Sequence, residues 1–384
     1  MWGTRDFSYR KLRRKITQDG VLDAVNATAE LPFRSLVAPP IFDYLIRHDH
    51  VRPIPRHELL SLATEVARVE DSDEEPFAAA IGPGYVCPST GLVITGDGRP
   101  VSESVGPAGD EHNGVIKSVV RLAFVDGIDL FRTVMTHDVE TLADQAVRLD
   151  TICPLSHRYI NYYHWLVETV PRIRYARAYE NRTDDEVTYL LRSDAPPYVD
   201  ETLNLLGIPE NKVERATGSI YRGSRVVVPA FPARTASDYR WIRNAILEKV
   251  AASDTVMTGG KNVYISRANA IERRIVNEGA VIDSLSTFGF EPYLLEERSV
   301  AENVRLFHEA DAVIGVHGAG LTDLIYCDDA TVFELFGAKV KGPYRRLADT
   351  IGVQYQPIQC RPASTDVFVD IDHLERTLTN VLDR

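Results

Sequence analysis

The sequence is poor in cysteine and lysine and has no long apolar run. Its four cysteines, Cys87, Cys153, Cys327 and Cys360, are scattered through 384 residues. None forms C-x-x-C, which excludes a zinc knuckle and a dithiol redox motif. Such usage fits a reducing compartment. No stretch reaches the ~20 apolar residues that span a bilayer. The opening MWGTRDFSYRKLRRK lacks the apolar centre of a secretory leader, so the expectation is a cytoplasmic protein. Arg10, Lys11, Arg13, Arg14 and Lys15 form a short basic cluster, read as a solvated helix face, with peripheral contact to an anionic membrane as the alternative. A cationic excess is also missing. Lys plus Arg is 43 against 55 acidic residues, net −12, which argues against a general nucleic-acid binder. Only eight of the 43 are lysine, which fits either a high-salt proteome or a GC-rich genome. Finally, G-x-S-x-G, H-E-x-x-H, G-x-x-x-x-G-K-[ST] and G-x-G-x-x-G are all absent. Hydrolase, zinc-protease, nucleotide-triphosphatase and dehydrogenase readings weaken accordingly.

What is present is globular. Hydrophobic residues make up 44% and charged residues 26%, and the length suits two domains with an accessory segment. Residues 1–78 read as irregular and helical, ending in the acidic stretch Glu70–Glu75. A first domain is expected over 79–235 and a second over 236–384, with Pro229 and Pro232 at the boundary. In the first, 84–102 reads as a hairpin, 119–125, 147–152, 187–191 and 224–229 as strands, and 160–180 and 198–206 as helices. In the second, strands are expected at 261–267, 292–295, 310–316, 331–335 and 353–358. Helices are expected at 237–252, 277–288, 300–310, 321–327 and 343–351. Ser299 and Glu302 form a capping box. This alternation implies parallel sheets covered by helices, an α/β fold.

Open α/β sheets bind ligands beyond the carboxyl ends of their strands. That rule selects Arg267 after the first strand of the second domain, His317-Gly318-Ala319-Gly320 after 310–316, and Glu334 near the end of 331–335. The glycines and Ala319 let a ligand approach the backbone, and the helix that follows offers unpaired N–H groups that suit phosphate. The same four residues also read as a tight turn with a structural histidine. Arg267, Arg273 and Arg274 flank a loop entering a helix that Asn277 would cap; arginine takes phosphate oxygens bidentately. Glu272 among them leaves at most two for a ligand. In NYYHWLVETVPRIRYA, His164, Glu168 and Arg172 share one helix face at four-residue spacing. They read as a solvated stripe, as two metal ligands lacking a third, or as an acid–base pair. Pro171 would kink that helix. His48, His50 and His57 read as surface groups, His308 as structural, and His157 as a minor candidate.

The ordered set H-W-L-V-E-x-x-P-R, Y-I-S-R, R-R-I-x-N-E and V-I-G-x-H-G-A-G-L-T resembles glycosyltransferase family 61. The likeness runs over about 84–358, strongest over 261–335. It implies a GT-B type architecture of two Rossmann-like domains facing across a cleft. It also implies inverting transfer from a nucleotide-sugar donor to a glycan or glycolipid acceptor, lipid-linked or at a surface. No cofactor and no metal are expected. Arg267, Arg274, His317, Gly318, Ala319 and Gly320 match the donor-side motifs, with Glu334 offered to ribose or sugar hydroxyls and Arg172 to substrate. Glu168 or His164 would be the base. Two positions depart from the family pattern: Asp323 stands where Asn is usual, and Asn303 where Gln is usual. A nucleotide-sugar epimerase and a non-catalytic nucleotide- or glycan-binding protein remain the alternatives.

Overall fold

The computed structural model describes residues 52–69, 76–107, 111–252, 261–338 and 340–382. The basic cluster at 10–15, His48, His50 and Glu70–Glu75 lie outside them. Among the described residues no helix is long and apolar enough to cross a membrane. The chain is mixed α/β and divides into two compact units. One comprises residues up to Ile160 with Arg172–Ala195 and Glu210–Ala233; the other comprises Asn161–Pro171, Pro196–Pro209 and Arg234 onward.

The first unit is built on one mixed sheet. Its strands are β1 (Glu65–Arg68), β2 (Phe77–Ile81), β3 (Gly84–Cys87), β4 (Leu92–Thr95), β5 (Pro100–Val101), β6 (Val147–Pro154), β7 (Thr188–Leu191), β8 (Val213–Arg215) and β9 (Tyr221–Pro229). The order is β5-β4-β3-β9-β6-β7-β8, with β2 on β9 and β1 on β2. The pairs β9–β6, β6–β7 and β7–β8 are parallel; the β3–β4 hairpin and its neighbours are antiparallel. Two expectations are corrected here. Residues 119–125, expected as a strand from their β-branched content, end a helix, Glu111–Val125. Val115, Val119 and Leu122 recur at helical spacing and are buried together against the sheet, so the 3.6-residue period prevails over local propensity. The segment before 79 is not merely helical and irregular, since β1 and β2 are sheet strands and the apolar FAAAI of β2 is buried throughout.

The second unit holds a five-stranded, wholly parallel sheet: β10 (Lys261–Ile265), β11 (Phe290–Tyr293), β12 (Ala310–Val316), β13 (Thr331–Phe336) and β14 (Gln354–Gln359). A short hairpin follows, β15 (Arg361–Ala363) with β16 (Asp366–Phe368), then a helix, Ile371–Leu382. Strand order is β11-β10-β12-β13-β14. β12 reads ADAVIGV and is buried at six of seven positions, as a sheet covered on both faces requires. One face, with Ile314, Val316, Phe333, Leu335 and Ile358, packs on Val281, Leu285, Leu374 and Leu378. The order reverses between β10 and β12, which makes their carboxyl ends the topological switch point where such sheets bind ligands.

The helix around 160–180 is not uniform. Asn161 caps a short turn at Tyr162–His164 through the His164 N–H, 3.1 Å. A π-turn follows over Trp165–Thr169, and a regular helix runs Val170–Thr183. The wide turn delivers the chain to Pro171, the second residue of the regular helix. The chain passes between units at Pro171–Arg172, so His164 and Glu168 belong with the parallel sheet and Arg172 does not.

Candidate functional site

Strand alternation decides what stands at the switch point. Gly315 lies opposite Glu334, and Val332 opposite Tyr355. Side chains two apart share a face, so His317, Glu334, Phe336 and Tyr355 gather on the side opposite the large apolar cluster. The imidazole Nδ1 of His317 hydrogen-bonds Oε1 of Glu334, and the Tyr355 hydroxyl donates to Oε2. Glu334 is fully buried with both oxygens engaged. Its Oε1 thus orients the His317 imidazole. The ring of His317 stacks on Phe336 at 5.7 Å and lies under Tyr344 at 5.2 Å.

Cations border this imidazole. Arg267, just beyond β10, donates through Nε to the Arg273 carbonyl (3.2 Å) and through Nη2 to the Glu272 carbonyl (3.1 Å). Arg273 donates from Nη1 to the His317 carbonyl at 2.7 Å. Burial and the neighbouring charge of Arg273 push the Arg267 guanidinium below the usual arginine value. Arg273 has a left-handed backbone, φ 61°, a conformation disfavoured for a side chain of its size. Its sequence neighbour Arg274 turns elsewhere. Nη2 of Arg274 meets Asp366 at 2.7 Å, and its N–H reaches the same carboxylate at 3.1 Å. The structure thus gives Arg273, and not Arg274, the contact with the His317 turn.

Gly318 lets the Arg267 guanidinium approach the backbone closely. Its φ of −176° is open to any residue, but a Cβ there would lie 2.4 Å from Nη1 of Arg267. Ala319–Tyr326 then forms a 3₁₀ helix rather than an α-helix. Its first N–H groups have no partner within the helix. Asn277 precedes the helix Glu278–Ser286 without capping it; its amide instead pairs with the backbone of Val369 at 2.8 and 3.0 Å. The capping box of Ser299 and Glu302 is present as expected. The two departures from the family pattern are both buried: Asn303 donates to the Leu295 carbonyl at 3.0 Å, and Asp323 accepts from the Tyr162 hydroxyl at 2.6 Å. Burial pushes Asp323 up to about 7, against the pull of that hydrogen bond.

The second polar group of this unit is His164 with Glu168. Nδ1 of His164 and Oε2 of Glu168 are 2.5 Å apart. Oε1 of Glu168 faces Nη1 of Arg234 at 3.4 Å. Burial opposes the charge of Arg234, but the hydrogen bond it donates to Tyr163 and the Glu168 carboxylate raise its pKa overall. With Nδ1–H donating to Glu168, Nε2 of His164 carries the lone pair. Tyr163, next in sequence to His164, packs edge-on against Tyr344 at 5.6 Å, and Tyr344 covers His317. Both histidines are therefore joined through one aromatic pair. Arg234 and Tyr344 carried no motif signal, because their importance comes from tertiary contact.

Arg172, predicted to share the face of His164 and Glu168, is buried in the other unit, with Nη1 on the Ser104 carbonyl at 3.3 Å. The π-turn adds backbone to one revolution and rotates residue 172 off the 164/168 face. Burial holds its guanidinium below the usual arginine value. His157 is buried in the first unit, where Nδ1 accepts from the Tyr159 N–H at 3.1 Å. His308 lies 3.3 Å from the Tyr326 carbonyl and from Asp328, a structural placement.

Residues 162–333 match the sequence model of the family described as Glycosyltransferase 61. The chain is 32% identical over 124 residues to the EGF domain-specific O-linked N-acetylglucosamine transferase of Bos taurus, covering 30% of this chain and 24% of that protein. Against the same enzyme of Gallus gallus it is 35% identical over 89 residues, 22% and 17% of the two chains. Against the Beta-1,2-xylosyltransferase of Arabidopsis thaliana it is 24% identical over 164 residues, 36% and 31%. The chain spans less than a third of the length of each of these relatives.

Proposed function

Since the stretch 162–333 makes this chain a member of glycosyltransferase family 61, we propose that it transfers a sugar, with inversion, from a nucleotide-sugar donor to a glycan or glycolipid acceptor. The observation that carries the reading is the meeting of Arg267, Arg273 and the 318–320 backbone beside His317 at the switch point of the parallel sheet. The two neighbouring guanidiniums repel each other, and a departing nucleoside diphosphate supplies an anion that joins them. A GT-B arrangement of the two α/β units is the architecture this reading takes.

In the proposed step the acceptor hydroxyl attacks the anomeric carbon while the bond from that carbon to the diphosphate oxygen breaks. Nε2 of His164 takes the hydroxyl proton. Glu168 cannot readily serve as the base, because His164 and Arg234 hold its two oxygens; it fixes the imidazole and stabilises the imidazolium. The leaving diphosphate is met by Arg267, Arg273, the 318–320 N–H groups and His317, whose ring Glu334 orients. In this reading no step passes through a metal ion, and the work is done in the cytoplasm.

The names of the relatives make nucleotide-linked N-acetylglucosamine and xylose the first donors to test. Incubation with each donor and a panel of glycan acceptors should release nucleoside diphosphate and give a lengthened, inverted product. Conversion of the donor to a sugar isomer without acceptor would make the protein an epimerase instead. Binding of nucleotide with no turnover on any acceptor would leave it a binding protein.

A further inference from the structure

The turn that carries His164 and the turn that carries His317 are 153 residues apart in sequence. Inside the second unit they are tied at two neighbouring points. One is the run of ring contacts Tyr163–Tyr344–His317, edge-on and then tilted. The other is polar: the Tyr162 hydroxyl donates to Oδ1 of Asp323 at 2.6 Å. Tyr162 is the first residue of the turn that Asn161 caps, two residues before His164. Asp323 sits in the middle of the 3₁₀ helix that follows H-G-A-G, with Leu321, Thr322, Leu324, Ile325 and Tyr326 all buried around it. The ring of Tyr162 is steadied edge-on by Tyr198 at 5.2 Å.

We propose that Tyr162 and Asp323 are positioning residues, whose hydrogen bond sets the distance between the His164 base and the leaving-group turn at His317. The inference rests on the transferase reading above for its catalytic consequence, and on geometry alone for the tether. Neither residue touches a reacting atom. The arrangement matters because the 162–169 segment contains a π-turn, a local departure from the regular α-helix of the kind found at functional sites. A contact at its first residue, made to the segment that also presents the leaving-group amides, fixes the gap the reacting atoms must share. Displacement of a catalytic group by an ångström is enough to slow a reaction strongly. An acceptor oxygen at 323 is what the tether requires, and asparagine supplies one as well as aspartate does.

The test uses the full chain and two readouts. Tyr162→Phe removes only the hydroxyl; Asp323→Asn keeps an acceptor; Asp323→Leu removes it. Hydrogen exchange is followed at the amides of 162–169, with β12 as internal reference. The tether predicts that Tyr162→Phe and Asp323→Leu speed exchange at 162–169 several-fold and leave β12 protected, whereas Asp323→Asn behaves like wild type. Kinetics with an active donor should show kcat falling about tenfold or more in Tyr162→Phe with donor KM within about twofold, and no further loss in Tyr162→Phe/Asp323→Leu than in the worse single variant. Unchanged exchange at 162–169 in Tyr162→Phe, wild-type kcat in that variant, or fully additive losses in the double variant each overturn the proposal. If the wild-type chain releases nucleoside diphosphate from no donor, the transferase reading fails, and the exchange data still decide the tether.

Discussion

The second unit holds two histidines on two glutamates, and the pairs are made in opposite ways. His164 and Glu168 are four residues apart on one turn, with side chains 23% and 7% exposed. His317 and Glu334 stand on neighbouring strands, and Glu334 is sealed between the imidazole and Tyr355. The first pair owes its geometry to a local turn; the second owes its geometry to the register of β12 on β13. A locally built pair near solvent suits proton exchange with an incoming acceptor. A pair clamped by a sheet suits fixed charge, whose value in catalysis comes from needing no rearrangement as the leaving group departs.

Substitution of the histidines should separate these roles most sharply. His164→Ala is expected to lower kcat by about 10²–10⁴ with donor affinity little changed, the range for loss of a general base. His317→Ala should weaken nucleoside diphosphate binding as well as turnover. Calorimetric titration of the nucleotide beside steady-state kinetics checks both, and identical profiles for the two variants would erase the distinction.

Stability should divide the glutamates in the other direction. Glu334→Gln disturbs two hydrogen bonds at a site without water and should cost about 1–3 kcal/mol in denaturant unfolding. Glu168→Gln, whose partners are partly exposed, should cost about 1 kcal/mol or less.

The adjacent arginines extend the contrast. Arg273→Ala should weaken nucleotide binding about tenfold, as for loss of a charge-assisted contact. Arg274→Ala should change it less than about twofold, while loosening the hairpin of β15 and β16 that Asp366 anchors. Equal losses of affinity would return Arg274 to the binding site.

The last contrast is a pH dependence. Asp323 has a folded pKa pushed up to about 7 by burial, above the unfolded value near 4. The native state then binds the proton more tightly, so this residue lowers stability as pH rises from about 4 to about 7, by at most roughly 1.4 kcal/mol per pH unit. Asp323→Asn should therefore be more stable than wild type at pH 8, with the gain shrinking toward pH 4. Melting curves at several pH values test this, and a gain that grows on acidification would contradict it.

Much of the second unit was legible in the chain because its signals are local. Buried parallel strands write themselves as apolar runs such as ADAVIGV, and the interleaved helices carry caps and helical spacing. The matching elements of the first unit were read less well where β-branched residues sat on a helix, as at 119–125, or where alanines made a strand, as at 77–81. Among site residues, His164 with Glu168 and the H-G-A-G turn could be picked out because their members are close in sequence. Arg172 was misplaced because one π-turn rotates everything after it.

The order of residues alone determined that strands and helices alternate, that H-G-A-G ends a buried strand, and that His164 and Glu168 can meet across one turn. Each rests on interactions within a few residues, whose geometry the backbone dictates. Tertiary structure alone decided that Glu334 clamps His317, that Arg273 rather than Arg274 reaches that turn, and that the 161–171 segment joins the parallel sheet. Those outcomes depend on strand register and on contacts between residues from 17 to 161 positions apart, for which no local pattern carries the information.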